Sequence, residues 1–313
     1  MSEQTEKWTV GRLLGWTSEF FKSKGLDSPL LDAQVLLAGA MGIKRIELYT
    51  NFSSEPTEQQ RAAFRGLVKR RGAGEPAAYL VGNKEFYSIT FKVNANVLIP
   101  RPETEQLVLE ALDKLKILAN NCNDNSNAQD NKESQNKISF CDVGTGSGVI
   151  AVAVTKNFPR GLGSLLVTAI DISPEALSVA ELNAGLAGVR GSIDFVQSDL
   201  LDNIDQKFDI IASNPPYVSI SEYENLPRDV KDYEPKLALL AGETGAEVIA
   251  KLASQAKTKI KSGGYFLLEI SPMIVANVEK ILSGDGWENI QILHNGRIAC
   301  CEWNREGVSK NQL

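Results

Sequence analysis

A single histidine, His294, occurs in the 313 residues. With so little imidazole, a Ser-His or Cys-His nucleophile pair and a His-rich metal site are poor starting points. Cysteine is sparse as well. Cys122, Cys141, Cys300 and Cys301 show no metal-ligand spacing, two being adjacent and one lying in a polar tract. That pattern suits reduced thiols in a cytosol better than a disulfide framework, and no metal is expected. No apolar run reaches the length that spans a bilayer. The opening, Met1 to Lys7, is polar and acidic, unlike a secretory leader or an Arg-rich transit peptide. Nor is positive charge in excess: 33 Lys and Arg stand against 39 Asp and Glu, a formal net charge of −6. Phosphate neutralisation drives binding to long duplex DNA and normally needs a basic surface, so this sum argues against a nucleic-acid partner, although a local basic patch stays open. What remains is a cytoplasmic chain without membrane spans. Its 43% hydrophobic and 23% charged residues suit a good core, and its length accommodates two domains.

Up to about Gly74 the pattern is helical. Thr9 precedes a segment with Leu13, Leu14, Thr17, Phe20 and Phe21 on one face, and Ser28-Pro29 caps the apolar run Leu30 to Met41, which Gly42 ends. Thr57 with Gln60 fits a capping box ahead of Ala62, Phe64 and Leu67. These stripes carry no chemical cluster and predict a small helical bundle. Lys69-Arg70-Arg71 is expected as a solvated last turn that complements the helix dipole, with a patch for an acidic partner as the alternative. From Lys84 to Val93, Phe86, Ile89, Phe91 and Val93 alternate with polar residues. Asn94-Ala95-Asn96 then reads as a turn before Val97-Leu98-Ile99, giving a β-hairpin that links the helical part to the next domain. Asn120 to Lys137 has almost nothing to bury and is expected as a disordered insert.

Beyond it, strands and helices alternate. Strands are predicted over Ile138–Val143, Leu165–Ile172, Ile193–Gln197, Phe208–Ala212 and Tyr265–Ile270, and helices over Val149–Asn157, Ser173–Leu186, Glu247–Lys259 and Ile274–Leu282. Two closing strands near Ile290 and Ile298 flank an Asn295-Gly296 hairpin turn. Such alternation implies an α/β fold, a mostly parallel sheet with helices on both faces and an antiparallel edge, whose ligands bind beyond the carboxyl ends of the strands.

The first of these strands ends Asp142-Val143-Gly144-Thr145-Gly146-Ser147-Gly148. Glycines there let the backbone turn tightly and approach a ligand, and a dinucleotide site is the obvious competitor. Two details point away from it. The spacing is Gly-x-Gly-x-Gly, and the Asp142 carboxylate beside the loop would repel a pyrophosphate. S-adenosylmethionine has no phosphate and carries an ammonium and a sulfonium. Asp171 ends the next strand about two dozen residues beyond the glycines, where a carboxylate can accept both ribose hydroxyls. Asp199, followed by Leu200, ends the third and is placed to accept from an adenine amino group. Each acid alone is as well explained as a cap or turn residue; three at successive strand ends beside a glycine loop point to S-adenosylmethionine.

The fourth strand runs into Asn214-Pro215-Pro216-Tyr217. Such a string is also a common turn former, but the chemistry beside a methyl donor asks for these residue types. A planar amide or aromatic amine has a delocalised lone pair and is a poor nucleophile, so both of its N–H bonds must be held. The Asn214 oxygen can accept one and a backbone carbonyl in the proline stretch the other. Proline fixes that backbone without adding a donor, and the Tyr217 ring offers a face for a planar group. Positive charge grows on nitrogen as the methyl arrives, and the acceptors stabilise it more than the ground state. The methylated cation sheds its proton readily, so no dedicated base is needed.

These motifs resemble the class I methyltransferases, and within them the release factor glutamine N5-methyltransferase family. The resemblance extends to Gly74-Glu75-Pro76 with Tyr79 and Gly82, to Glu85-Phe86, to the specific string Ile99-Pro100-Arg101-Pro102-Glu103-Thr104-Glu105, and to Tyr233-Glu234-Pro235 with Leu237-Ala238-Leu239. It implies a Rossmann-like domain with a seven-stranded sheet, S-adenosylmethionine as methyl donor and S-adenosylhomocysteine as product. The implied substrate is the glutamine of the Gly-Gly-Gln loop of class I peptide-chain release factors, and a monomer is expected. Carried onto this chain, residues 1–77 form a helical docking domain, 78–98 a hairpin linker and 99–313 the methyltransferase domain, with the insert at about 120–137. Asp142, Gly144, Thr145, Gly146, Ser147 and Gly148 line the methionine end, Asp171 takes the ribose, and Asp199 and Leu200 flank the adenine. Asn214, which also faces the cofactor, holds the substrate amide with Pro215, Pro216 and Tyr217, and Arg101 and Glu103 border the cleft. Ser88 and Ser271 stand where the family pattern often has glycine, and Ile274 where it often has glutamine. Asn-Pro-Pro-Tyr alone is shared with adenine N6-methyltransferases, and a ribosomal-protein glutamine and a non-catalytic binding subunit are the remaining alternatives.

Overall fold

The computed structural model describes residues 7–124 and 137–304. The elements run α1 Val10–Ser23, α2 Pro29–Met41, α3 Glu47–Thr50, α4 Glu58–Gly72, α5 Ala77–Val81, β1 Asn83–Phe86, β2 Ile89–Lys92 and α6 Thr104–Asp124. They continue with β3 Lys137–Val143, α7 Val149–Asn157, β4 Ser164–Asp171, α8 Pro174–Ala187, β5 Ile193–Gln197 and β6 Phe208–Ser213. Next come β7 Val218–Ser219, α9 Ile220–Glu224, α10 Arg228–Lys231, β8 Leu240–Gly242 and α11 Glu247–Lys259. The chain closes with β9 Ile260–Glu269, α12 Val275–Asp285, β10 Glu288–Leu293 and β11 Ile298–Trp303. Most of the polar stretch expected as an insert lies outside the described residues; contrary to that expectation, residues 120–124 continue α6 and Lys137 opens β3.

Two compact units result, one of Met1–Asn83 with Pro227–Tyr233, the other of Lys84–Leu226 with Glu234–Leu313. In the first, the caps expected at Thr9 and Thr57 form, whereas Ser28 stands at the N-cap of α2 without a side-chain hydrogen bond. Thr9 accepts from the Arg12 N–H at 3.3 Å, and Thr57 and Gln60 exchange hydrogen bonds as a capping box. Phe21, Leu36, Leu37, Leu48 and Phe64 make the core. The basic end of α4 departs from expectation. Arg71 is not solvated: its side chain is 7% exposed and pairs with Asp32 at 2.7 Å and with Asp229 of α10 at 3.1 Å. A guanidinium that deeply placed needs both carboxylates, because an unpaired buried charge is strongly disfavoured.

In the second unit, seven strands pair in the order β10-β11-β9-β6-β3-β4-β5. β9, β6, β3, β4 and β5 are parallel, and β11 is antiparallel to both of its neighbours. Alternation along each strand sorts residues to the two faces. Phe140, Ile210, Leu267 and Cys300 join one core, with α6 and α7 packed on it, while Cys141, Ile211, Phe266 and Cys301 join the other, with α11 and α12. The adjacent Cys300 and Cys301 therefore point to opposite faces; with Cys141 they are free and buried. This is the Rossmann-like arrangement of class I methyltransferases.

Local expectations change at two places, the β1–β2 hairpin and α6. The hairpin β1–β2 turns at Tyr87-Ser88, both at left-handed φ (51° and 57°), and not at Asn94–Asn96. Asn94 instead folds a turn of its own, its side chain accepting from the Asn96 N–H at 2.9 Å, and Val97–Ile99 forms no strand. Asn295-Gly296 is, as expected, the middle of a hairpin turn, the four residues 294–297 that join β10 to β11 where Leu293 pairs with Ile298. Finally, α6 fills a stretch to which the motifs assign no element, although Leu107, Val108, Ala111, Leu112, Leu115 and Ala119 repeat at helical spacing and are all buried.

Candidate active site

The central parallel strands end side by side, Val143 beside both Ile170 and Ser213, Asp171 beside Gln197, and Ser213 beside Leu268. The chain leaves β3 toward β4 and β5 and returns to β6 on its other side, so β3 is the switch point where such sheets open a crevice. A cavity of about 610 Å³ lies there.

Gly144, Gly146 and Gly148 all hold left-handed φ (72°, 55° and 82°). Gly144 to Ser147 line the cavity, and a Cβ on Gly144 would meet no protein atom within 4 Å, so a side chain there would take up ligand space. Gly148 acts elsewhere. It is not on the wall, and a Cβ on it would lie 3.0 Å from that of Ala180, so its bareness lets α7 and α8 close up. Asp142 is also off the wall. Fully buried, it accepts from the Thr145 hydroxyl at 2.6 Å and the Ala151 N–H at 3.0 Å, while Oδ1 has no partner. Burial raises its pKa to about 7 against the pull of those two donors. It fastens the loop from below, because its side chain leaves β3 toward α7 and not toward the crevice. Asn183, 2% exposed, completes the fastening by donating to the carbonyls of Ser147 (2.9 Å) and Lys92 (3.0 Å).

Asp171 and Asp199 stand on the wall with Leu200. Asp171 accepts from the Gly146 N–H at 2.8 Å and the Ser173 N–H at 3.0 Å, which leaves lone pairs for a ligand. Burial raises its pKa, and these N–H groups oppose the shift. Asp199 is held by Lys251 at 2.6 Å, and Leu200 sits at a strained φ of 53°. Arg101 lines the cavity, gripped by Glu234 at 2.6 Å, whose other oxygen accepts from the Ile99 N–H. Both cations on the described wall, Arg101 and Lys251, are thus already paired. That donor set fits a phosphate-free adenosyl cation better than a pyrophosphate.

Asn214 and Pro216 reach the cavity; Pro215 is buried behind them, and Tyr217 packs into the second core with its hydroxyl 3.5 Å from Glu269. Tyr217, expected to offer a ring face to the substrate, is therefore not on the wall. Glu103 is not there either and lies 3.9 Å from Arg297. The Asn214 Nδ2 donates to the Thr104 hydroxyl at 3.2 Å, which leaves Oδ1 as an acceptor. No sequence motif marks Lys251, Asn183 or Glu269. Glu269 had a signal, a lone carboxylate closing an apolar strand; the other two become visible only when distant elements meet.

Residues 12–82 match the family model described as PrmC N-terminal domain, and residues 127–226 match the methyltransferase small domain. A release factor glutamine methyltransferase of Rhodopirellula baltica is 47% identical over 290 residues, covering 91% of this chain and 92% of that protein. Proteins of the same name from Koribacter versatilis and Leptospira interrogans are 40% and 37% identical, over 85% and 90% of this chain and 87% and 92% of theirs. Identity of this size along nearly the whole of both chains establishes that this chain belongs to the release factor glutamine methyltransferase family.

Proposed function

We propose that this chain transfers a methyl group from S-adenosylmethionine to the side-chain amide nitrogen (N5) of the glutamine in the Gly-Gly-Gln motif of class I peptide-chain release factors, acting in translation termination in the cytoplasm. The observation that carries this reading is Asn214, whose amide oxygen is left as an acceptor in the cavity that the glycine loop also lines.

When bound, S-adenosylmethionine supplies the methyl on a sulfonium and leaves as S-adenosylhomocysteine. Gly144 to Ser147 would hold its methionine end, Asp171 the ribose hydroxyls, and Asp199 with Leu200 the adenine. Asn214 Oδ1 accepts one N–H of the glutamine amide and a carbonyl of the Pro215-Pro216 backbone the other, which aims the nitrogen lone pair at the methyl. As the N–C bond forms and the S–C bond breaks, nitrogen becomes positive and both acceptors tighten. The proton then leaves the acidic N-methylated amide for solvent. No metal enters, and the enzyme works as a monomer without nucleic acid. Residues 1–77 dock the body of the release factor, 78–98 link, and 99–313 carry out the transfer. Among the described residues, no helix is long and apolar enough to cross a membrane.

Incubation with labelled S-adenosylmethionine and a bacterial lysate tests the substrate. The label is expected on a release factor; a ribosomal protein or an adenine carrying it instead contradicts this reading.

A further inference from the structure

The first unit has a groove of its own, of about 800 Å³, between α1 and α4. Its aromatic wall comes from α1. Phe20 lies across Gly72 of α4, where a Cβ would come within 2.9 Å of the ring, so the glycine gives that ring its seat. Trp16, one turn before Phe20, stacks on it with ring centroids 5.5 Å and planes 8° apart, yet stays 54% exposed. An indole held flat by its neighbour and open to solvent loses little conformational entropy on contact, as the aromatic anchors of protein interfaces do. The opposite wall is the face of α4 that carries Glu58, Arg61, Arg65 and Lys69 at helical spacing, and Lys24 closes the end of α1. Glu58, the one acid among the described lining residues, is engaged by Arg61 at 2.6 Å and by Arg65 at 3.0 Å. Among the described residues no carboxylate pairs with Lys69 or with Lys24, which stands over the Phe20 ring at 5.6 Å. The groove thus joins stacked aromatic rings to an excess of positive charge, in a chain whose net charge is −6.

We propose that this groove docks an acidic segment of the release factor that carries apolar side chains, a contact separate from the entry of the glutamine at Asn214. This rests on the glutamine-methylation reading above. Trp16 and Phe20 take the apolar side chains, and Lys24 and Lys69 take the carboxylates. Of the basic run that ends α4, Arg71 is buried in its pairs and Arg70 is engaged by Glu75, so Lys69 is the one of the three on the groove wall. A nucleic acid is the poorer occupant. Two lysines without carboxylate partners neutralise too few phosphates to hold a strand, and Glu58 repels the next phosphate along. For a protein segment the same two lysines are enough to speed encounter and fix register.

The test uses the full chain and a purified release factor, with steady-state methylation, calorimetry for S-adenosylmethionine and thermal melting on each variant. Lys24→Glu/Lys69→Glu and Trp16→Ala should each raise KM for the release factor by about tenfold, with kcat and cofactor affinity within about threefold. Trp16→Phe should recover most of that loss, because a ring remains to stack. Arg45→Glu, the same charge reversal on an exposed residue outside the groove, should leave KM unchanged. The wild-type KM should rise with salt, and the double reversal should flatten that rise. With RNA present in the mixture, a benzophenone amino acid in place of Trp16 should crosslink to a release-factor peptide rich in Asp and Glu. An unchanged KM in the Trp16→Ala and Lys24→Glu/Lys69→Glu variants would overturn the groove while the glutamine reading stands. So would a crosslink to the RNA, to this chain itself or to a second copy of it. A methyl found elsewhere than on glutamine in the wild-type reaction would overturn that reading, and the groove's occupant with it.

Discussion

At the scale of the residue, side chains placed to touch a ligand are distinct from those that hold others in place. Asn214→Ala removes an acceptor whose value grows as nitrogen becomes positive. It should lower methyl transfer by at least about 100-fold, the size of one preorganised transition-state contact, with cofactor affinity within a few-fold. Single-turnover kinetics and calorimetry on the same preparation check both halves. Asp171→Ala should do the opposite, weakening S-adenosylmethionine binding by on the order of 10- to 100-fold through lost charge-assisted hydrogen bonds. An unchanged affinity by calorimetry would remove Asp171 from the site. Away from the cavity, Ser88 holds a φ of 57° in the hairpin turn. Glycine relieves the left-handed strain at the expense of a more flexible unfolded chain, so Ser88→Gly should stabilise by about 0.5–1 kcal/mol. A shift of the urea midpoint at constant slope would show it.

At the scale of the element, the strand ends are what make the site, and they explain why much of it was legible. The glycine loop, Asp171, Asp199 and Asn214 each follow a recognisable apolar run, and the parallel sheet aligns those ends. Glu269 is different. Its place beside the end of β6 arises from the pairing of β9 with β6, a register that local pattern does not encode. The burial of Arg71 is not legible locally because its second partner, Asp229, lies 158 residues along the chain. The turn of the first hairpin is not legible because Tyr87 and Ser88 lack the usual Asn-Gly signature. The same logic marks Gly245, between β8 and α11. At a φ of 81°, a Cβ on it would lie 2.6 Å from the carbonyl oxygen of Tyr217, which would have to move. Gly245→Ala should therefore displace the Pro215–Tyr217 backbone and slow methyl transfer by about tenfold while the glycine loop still binds cofactor. Equal rates would show that this backbone adapts.

At the scale of the whole molecule, the buried carboxylates near the strand ends give stability a sign with pH. Burial raises both Asp142 and Glu269 to about 7, above the values they take in the unfolded chain. The folded state thus holds more protons across the interval from about 4 to 7. The contribution of these groups is fully present below that interval and is lost as pH rises through it. The melting temperature without cofactor should fall between pH 5 and pH 8 by on the order of 5 °C, and Asp142→Asn with Glu269→Gln should flatten the slope. A melting temperature that rises over this range would mean that other groups dominate.

The central claim is that the reacting atom is an amide nitrogen of a protein glutamine. The most direct measurement is fragment mass spectrometry of a purified class I release factor after incubation with this enzyme and S-adenosylmethionine, beside a release factor whose Gly-Gly-Gln glutamine is replaced by glutamate. The account predicts one added methyl on the glutamine side-chain nitrogen and none on the glutamate form, which has no nitrogen to accept it. A methyl on a lysine or another residue, or equal incorporation into both proteins, would contradict it.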